Sequence, residues 1–92
     1  MGQFDSLIGA ANKTIDNTYT LLESENPPFN AVYKQYKILR SFWFRVVEDA
    51  ADFNSSRLED LCVDLEEAIE CCSKWISANP PTNQSEDNTE SN

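Results

Sequence analysis

The 92-residue chain carries 16 acidic and 7 basic side chains, for a net charge of −9, and 40% of its residues are hydrophobic. A chain of this length forms one small domain, whose single core leaves little room for an enclosed active site. The acidic balance argues against a molecule that binds nucleic acid over its whole surface, and the sequence holds no apolar run of membrane-spanning length.

The first residues match the signal for N-myristoylation, since a glycine follows Met1 and a small hydroxyl residue stands four positions further on. Removal of Met1 would expose the amine of Gly2, and Ser6 supplies the hydroxyl. We therefore expect a myristoyl group on Gly2 and a protein at the cytosolic face of a membrane, with the plasma membrane preferred and a soluble pool beside it. The alternative is that Gly2 is only the second residue and that Ser6 caps a helix.

The first predicted helix covers about residues 4–23, because apolar side chains recur three and four positions apart and share one face. Its middle, around Asp16, Asn17 and Thr18, has weak helix propensity, so this helix needs tertiary contacts to form. The apolar positions are Phe4, Leu7, Ile8, Ala11, Ile15, Tyr19 and Leu22.

The second predicted helix covers about residues 27–53, with Asn26 as its N-cap and Pro27 in its first turn. A break near Leu39, Arg40 and Ser41 would divide it and give a four-helix alternative. Its apolar positions are Phe29, Val32, Tyr33, Tyr36, Leu39, Trp43, Val46, Val47, Ala50 and Phe53.

The third predicted helix covers about residues 57–78, after an interruption at Asn54-Ser55-Ser56. Ser56 and Glu59 have the spacing of a capping box, in which each side chain satisfies a free backbone amide of the other. A core-facing stripe follows, and acidic residues cover the opposite face. The stripe consists of Leu58, Leu61, Cys62, Leu65, Ala68, Ile69, Cys72, Trp75 and Ile76.

Together these patterns predict an all-α fold, a small antiparallel three-helix bundle over residues 1–78. The Asn79-Pro80-Pro81 segment stops the third helix, because proline lacks a donor and restricts the residue before it. Residues 79–92 are polar and acidic with no apolar residue after Pro81, so we expect a disordered tail.

The residue inventory is poor for catalysis, and we expect a non-enzymatic protein without cofactor or metal. The chain has no histidine, so Ser–His and Cys–His nucleophile pairs cannot be built, and the commonest zinc ligand is missing. Its two glycines, Gly2 and Gly9, cannot form a phosphate-binding loop. The three cysteines are expected to be reduced thiols in the cytosol.

The segment of residues 33–45 differs from the rest, since it holds four of the seven basic residues and no acid. Such a basic-aromatic helix can lie on anionic lipid or bind single-stranded nucleic acid by stacking. It can also be ordinary bundle surface whose cations pair with acids of the third helix. The candidate surface for a membrane or a partner consists of Lys34, Lys37, Arg40, Phe42, Phe44 and Arg45.

A single myristoyl chain binds membranes only marginally, so stable residence needs a second signal. That signal would be the basic-aromatic helix, a membrane-bound partner or a palmitoylated cysteine. Cys71 is the palmitoylation candidate because it lies off the core stripe, whereas Cys62 and Cys72 lie on it.

A Met1-Gly2-Gln3 start on a small helical domain resembles retroviral matrix proteins. The resemblance implies a helical bundle that carries myristate. Those proteins also have a strong basic patch, from which the net charge of −9 departs. The chain is also similar in kind to small myristoylated helical proteins of plant viruses and bacterial pathogens, which implies binding to host factors.

The sequence thus predicts a myristoylated, membrane-associated adaptor or effector that binds a protein partner and anionic membrane. The alternative is a soluble helical module that binds protein or single-stranded nucleic acid through its second helix, although the acidity of the chain disfavours nucleic acid. Self-association is left open.

Overall fold

The computed structural model describes residues 4–80 and confirms the all-α prediction, with three helices in this range. The helices are α1 (Asp5–Glu23), α2 (Phe29–Phe53) and α3 (Ser56–Ala78). Because α2 runs unbroken past Leu39 and Ser41, the four-helix alternative is wrong. Gly2 and the predicted tail after Pro80 lie outside the described residues.

The start of α2 differs from the prediction by two residues. Pro28, and not Asn26, is the N-cap, with an extended backbone at φ −65° and ψ 138°. The reason is the second proline: a residue that precedes proline is pushed away from helical geometry, so Pro27 cannot open the helix.

The start of α3 differs by one residue, and the predicted capping box at Ser56 and Glu59 is wrong. Ser55 is the N-cap, and its side-chain oxygen accepts a hydrogen bond from the backbone N–H of Leu58 at 3.3 Å. Asn54 ends α2 in the left-handed conformation, at φ 52°, which asparagine tolerates better than most residues. The chain therefore turns one residue earlier than the spacing of Ser56 and Glu59 suggested.

The core is formed by one stripe from each helix. In α3 the predicted stripe supplies Leu58, Leu61, Leu65, Ala68 and Cys72, all buried, and α2 supplies Val32, Leu39, Val46 and Ala50. Ala11 and Ile15 of α1 complete it. Among residues 4–80 one polar residue, Thr18, is fully buried, and its hydroxyl is satisfied by donating to the backbone oxygen of Thr14 at 2.8 Å.

The three helices form an elongated body of 50 × 28 × 18 Å. α2 and α3 make the most extensive helix pair, and α1 packs along one side of this hairpin. Tyr33, Val47 and Phe53 belong to the predicted apolar pattern of α2 but are exposed. Phe53 lies next to the start of α1, where its ring contacts Phe4, whereas Tyr33 and Val47 leave the side of the hairpin away from α1 partly apolar.

Candidate interaction surface

The outward side of α2 carries most of the predicted surface residues. At about 100° per residue, Lys34, Lys37, Arg40, Phe44 and Arg45 lie within an arc of about 140° around the helix. All five are exposed, and 58% of the Phe44 surface is open to solvent. We call these five residues the basic arc.

Phe42 does not belong to the basic arc. It lies about 140° around the helix from Lys37, is half-buried and packs against the core. With Leu7 of α1 and Ile38, Ser41 and Arg45 of α2 it lines a groove of about 370 Å³ between the two helices. Phe42 and Phe44 therefore lie on different sides of α2, because residues two apart on a helix point in different directions and α1 packs only on the side of Phe42. That both residues contribute to a membrane or partner surface stays a prediction.

Within the basic arc, cations lie over aromatic rings of the same helix. The ammonium of Lys37 is 5.2 Å from the centre of the Tyr33 ring, and the guanidinium of Arg40 is 5.6 Å from that of Tyr36 and 5.9 Å from that of Phe44. The Tyr33 ring also stacks on Phe29 and on Tyr36. The sequence contained this signal, because each cation lies four residues from its ring and such pairs meet on a helix surface.

The cations of the basic arc do not pair with acids of α3. Within residues 4–80, no carboxylate oxygen lies within 4.0 Å of a cationic nitrogen of Lys34, Lys37 or Arg40. Arg45 pairs with Asp49 at 3.5 Å, one turn further along α2. The surface charge of α2 is therefore not neutralised by the acidic helix beside it.

Between α2 and α3 a second groove, of about 460 Å³, opens on the side away from α1. The indole Nε1 of Trp43 donates a hydrogen bond to Glu66 Oε2 at 2.9 Å and so fixes the register of the two helices. The groove has a cation on its α2 side and carboxylates on its α3 side. Its lining includes Tyr36, Arg40 and Phe44 from α2, and Glu66, Ile69 and Glu70 from α3.

Cys71, the palmitoylation candidate, is exposed and lies at the seam between α3 and α1. Its neighbour there is Tyr19, whose pKa is raised by burial, then by the hydrogen-bonded thiol of Cys71 and by the carboxylates of Glu67 and Asp64. This seam is on the opposite side of the bundle from the outward side of α2. A lipid chain on Cys71 and the basic arc therefore cannot face the same flat membrane.

The other two thiols are less accessible. Cys72 is fully buried, and burial together with the neighbouring Cys71 raises its pKa to about 11. Burial and the carboxylates of Glu66 and Glu59 also raise the pKa of the half-buried Cys62. Both remain protonated and poorly nucleophilic near neutral pH.

The start of α1 contacts the end of α2 and the start of α3. The rings of Phe4 and Phe53 meet edge to face at 5.2 Å between centroids, and Arg57 pairs with Asp5 at 3.2 Å. Ser6, which the myristoylation signal requires, lies in the first turn of α1. Gly2 lies outside the described residues.

None of the helices within residues 4–80 is long and apolar enough to cross a membrane. Comparisons with protein-family models, with curated proteins and with solved structures found no significant match to this chain.

Proposed function

We propose that this chain is a non-enzymatic, N-myristoylated interaction protein that acts on the cytosolic face of a membrane, where it binds a protein partner as an adaptor or effector. The myristoyl group on Gly2 supplies the first membrane signal. The basic arc of α2 supplies the second.

One observation carries the proposal: three cations of the basic arc, Lys34, Lys37 and Arg40, have no carboxylate partner within residues 4–80. Unpaired cations near an anionic lipid surface contribute about 1 kcal/mol each. Phe44, which lies beside Arg40 and is 58% exposed, adds an apolar ring on the same side of α2. These are the components of a helix that lies in the membrane interface.

The start of the described chain is compatible with the proposal. Phe4 contacts Phe53 at the end of α2. Arg45 is eight residues before Phe53, or about 12 Å along the helix axis. An acyl chain on Gly2, two residues before Phe4 in the sequence, could therefore act together with the basic arc.

Co-sedimentation with vesicles tests the second signal. The acylated protein is made by co-expression with the transferase and mixed with vesicles of phosphatidylcholine, with and without phosphatidylserine. We expect wild type to sediment with the anionic vesicles, and Lys34→Glu/Lys37→Glu/Arg40→Glu to stay mostly in the supernatant. Raised salt should act in the same direction, because it screens exposed charges.

The matched control is Lys13→Glu/Arg57→Glu/Lys74→Glu, which changes the net charge equally but on α1 and α3. Lys13 is exposed, and the ion pairs of Arg57 and Lys74 are exposed pairs of small energetic value. This variant should still sediment. If the arc variant binds as well as wild type in low salt, the basic arc is not the second signal, and a protein partner or acylated Cys71 must take its place.

The alternative is a soluble helical module that binds a protein through α2. The groove between α2 and α3 favours it, because a groove with an apolar floor and charged edges can take a partner helix. Single-stranded nucleic acid is disfavoured, since Lys37 and Arg40 already lie over ring faces that stacked bases would need. Wild type and Gly2→Ala with the same soluble distribution in cells would favour this alternative.

A further inference from the structure

The side of the α2–α3 hairpin away from α1 is partly apolar within the described residues. It carries Tyr33, Phe44 and Val47 of α2 and Val63 of α3, four of the five large hydrophobic residues that are exposed. We call this side the open face. Exposed apolar side chains grouped on one side and bordered by charged residues mark interaction surfaces, so the open face is a candidate interface.

Charge divides the open face lengthwise. Its α2 edge carries Lys37 and Arg40, in a segment without an acid. Its α3 edge carries Glu66 and Glu70. A positive stripe and a negative stripe therefore run side by side along the hairpin, and Trp43 and Ile69 line the groove between them.

We propose that the open face is the interface of a homodimer whose two-fold axis runs parallel to the helices. Rotation by this axis places α2 of one copy against α3 of the second copy. The positive stripe of each copy then meets the negative stripe of the other, and the apolar strips between them meet as well. This inference does not rest on acylation.

The charges of the two stripes disfavour the other two-fold arrangement in which the open faces meet. A two-fold axis across the helices would place α2 on α2 and α3 on α3, so that cations would face cations and carboxylates would face carboxylates. The register follows from the hydrogen bond between Trp43 and Glu66, which sets these residues at one height. Arg40 then lies level with residue 69 and is flanked by Glu66 and Glu70 of the second copy.

The dimensions suit a stable dimer. α3 has 23 residues, and at 1.5 Å per residue it is about 35 Å long; two adjacent helices of about 10 Å diameter give a face about 20 Å wide. Each copy can thus bury about 700 Å², or about 1,400 Å² in total, which lies within the range of specific interfaces. Dimer formation would cover Arg40 and Phe44, so self-association and lipid binding would compete for the same surface.

Sedimentation equilibrium of the unacylated full chain tests the inference. Between about 1 µM and about 1 mM the mass should rise from that of a monomer toward that of a dimer. The monomer mass is 10.5 kDa. A chain that keeps the monomer mass at every concentration overturns the proposal and leaves the open face to a partner helix or to lipid.

Charge exchange tests the arrangement. Arg40→Glu and Glu70→Lys should each weaken the dimer about tenfold, because each places like charges opposite one another. Glu66 is left unchanged, because its carboxylate accepts the hydrogen bond of Trp43 that sets the register. The double variant that combines them has the wild-type net charge and restores opposite charges across the axis, so it should dimerise again. Failure of the double variant to dimerise, while it remains helical by circular dichroism, overturns the parallel two-fold arrangement.

A matched control keeps loss of the dimer separate from loss of the fold. Lys13→Glu makes the same charge change as Arg40→Glu, but on the exposed side of α1. It should dimerise like wild type. Equal weakening by this control would show that net charge alone governs self-association, and the open face would not be the interface.

Discussion

Replacement of Leu65 by alanine is the most direct perturbation of the bundle. Leu65 is fully buried at the middle of the α3 stripe, where all three helices contribute to one core. Truncation of a buried leucine to alanine costs about 2–5 kcal/mol, because transfer energy is lost and a cavity remains. A domain of this size has a free energy of unfolding of about 4–12 kcal/mol. We therefore expect the variant to lose a large part of its stability.

Urea unfolding followed by circular dichroism measures this loss. The matched control is Val63→Ala, which lies two residues earlier on the same helix but is 53% exposed. At about 1 µM, where we expect a monomer, it should change the free energy of unfolding by no more than about 0.5 kcal/mol. If Leu65→Ala unfolds at the same urea concentration as Val63→Ala, the assignment of the α3 core face is refuted.

Three further predictions test particular contacts. Ser55→Ala should lower stability by about 1 kcal/mol and Ser56→Ala should leave it unchanged, because Ser55 alone caps α3; equal urea midpoints would contradict this assignment. The raised pKa of Cys72, about 11 against an ordinary 9.0, stabilises the fold below pH 9 and ceases to do so as the pH rises toward 11. Wild type should thus lose about 2 kcal/mol more than Cys72→Ala between these pH values, as compared in urea titrations. Ser6 is helical, whereas the transferase takes an extended segment, so folded protein should be acylated more slowly than co-expressed protein. Phe53→Ala, which removes the ring contact of Phe4, should speed acylation of the folded chain. Equal acylation rates, measured by mass spectrometry, would contradict this prediction.

The helices and their core faces could be predicted from the sequence, because apolar residues that recur with the helical period indicate which side of a helix is buried. In α3 the predicted positions Leu58, Leu65 and Cys72 are all buried. The helix starts were less predictable. Ser55 and Ser56 are chemically equal as caps, and only the backbone turn at Asn54 decides between them.

The candidate surface could be predicted only in part. The sequence shows that four of the seven basic residues lie on α2, and it shows which of them stand four residues from an aromatic ring. The separation of Phe42 from Phe44 depends on where α1 packs, and the hydrogen bond between Trp43 and Glu66 joins residues 23 apart. Local patterns do not contain contacts of this kind, since they arise from tertiary packing.

The central claim is that acylated Gly2 brings the protein to a membrane. The most direct measurement is the intact mass of the protein recovered from the membrane and soluble fractions of eukaryotic cells, for wild type and for Gly2→Ala. We predict that membrane-bound wild type lacks Met1 and carries one myristoyl group, and that Gly2→Ala carries none and is found in the soluble fraction. Membrane-bound wild type without the acyl group, or an equal distribution of the two proteins, would contradict the claim.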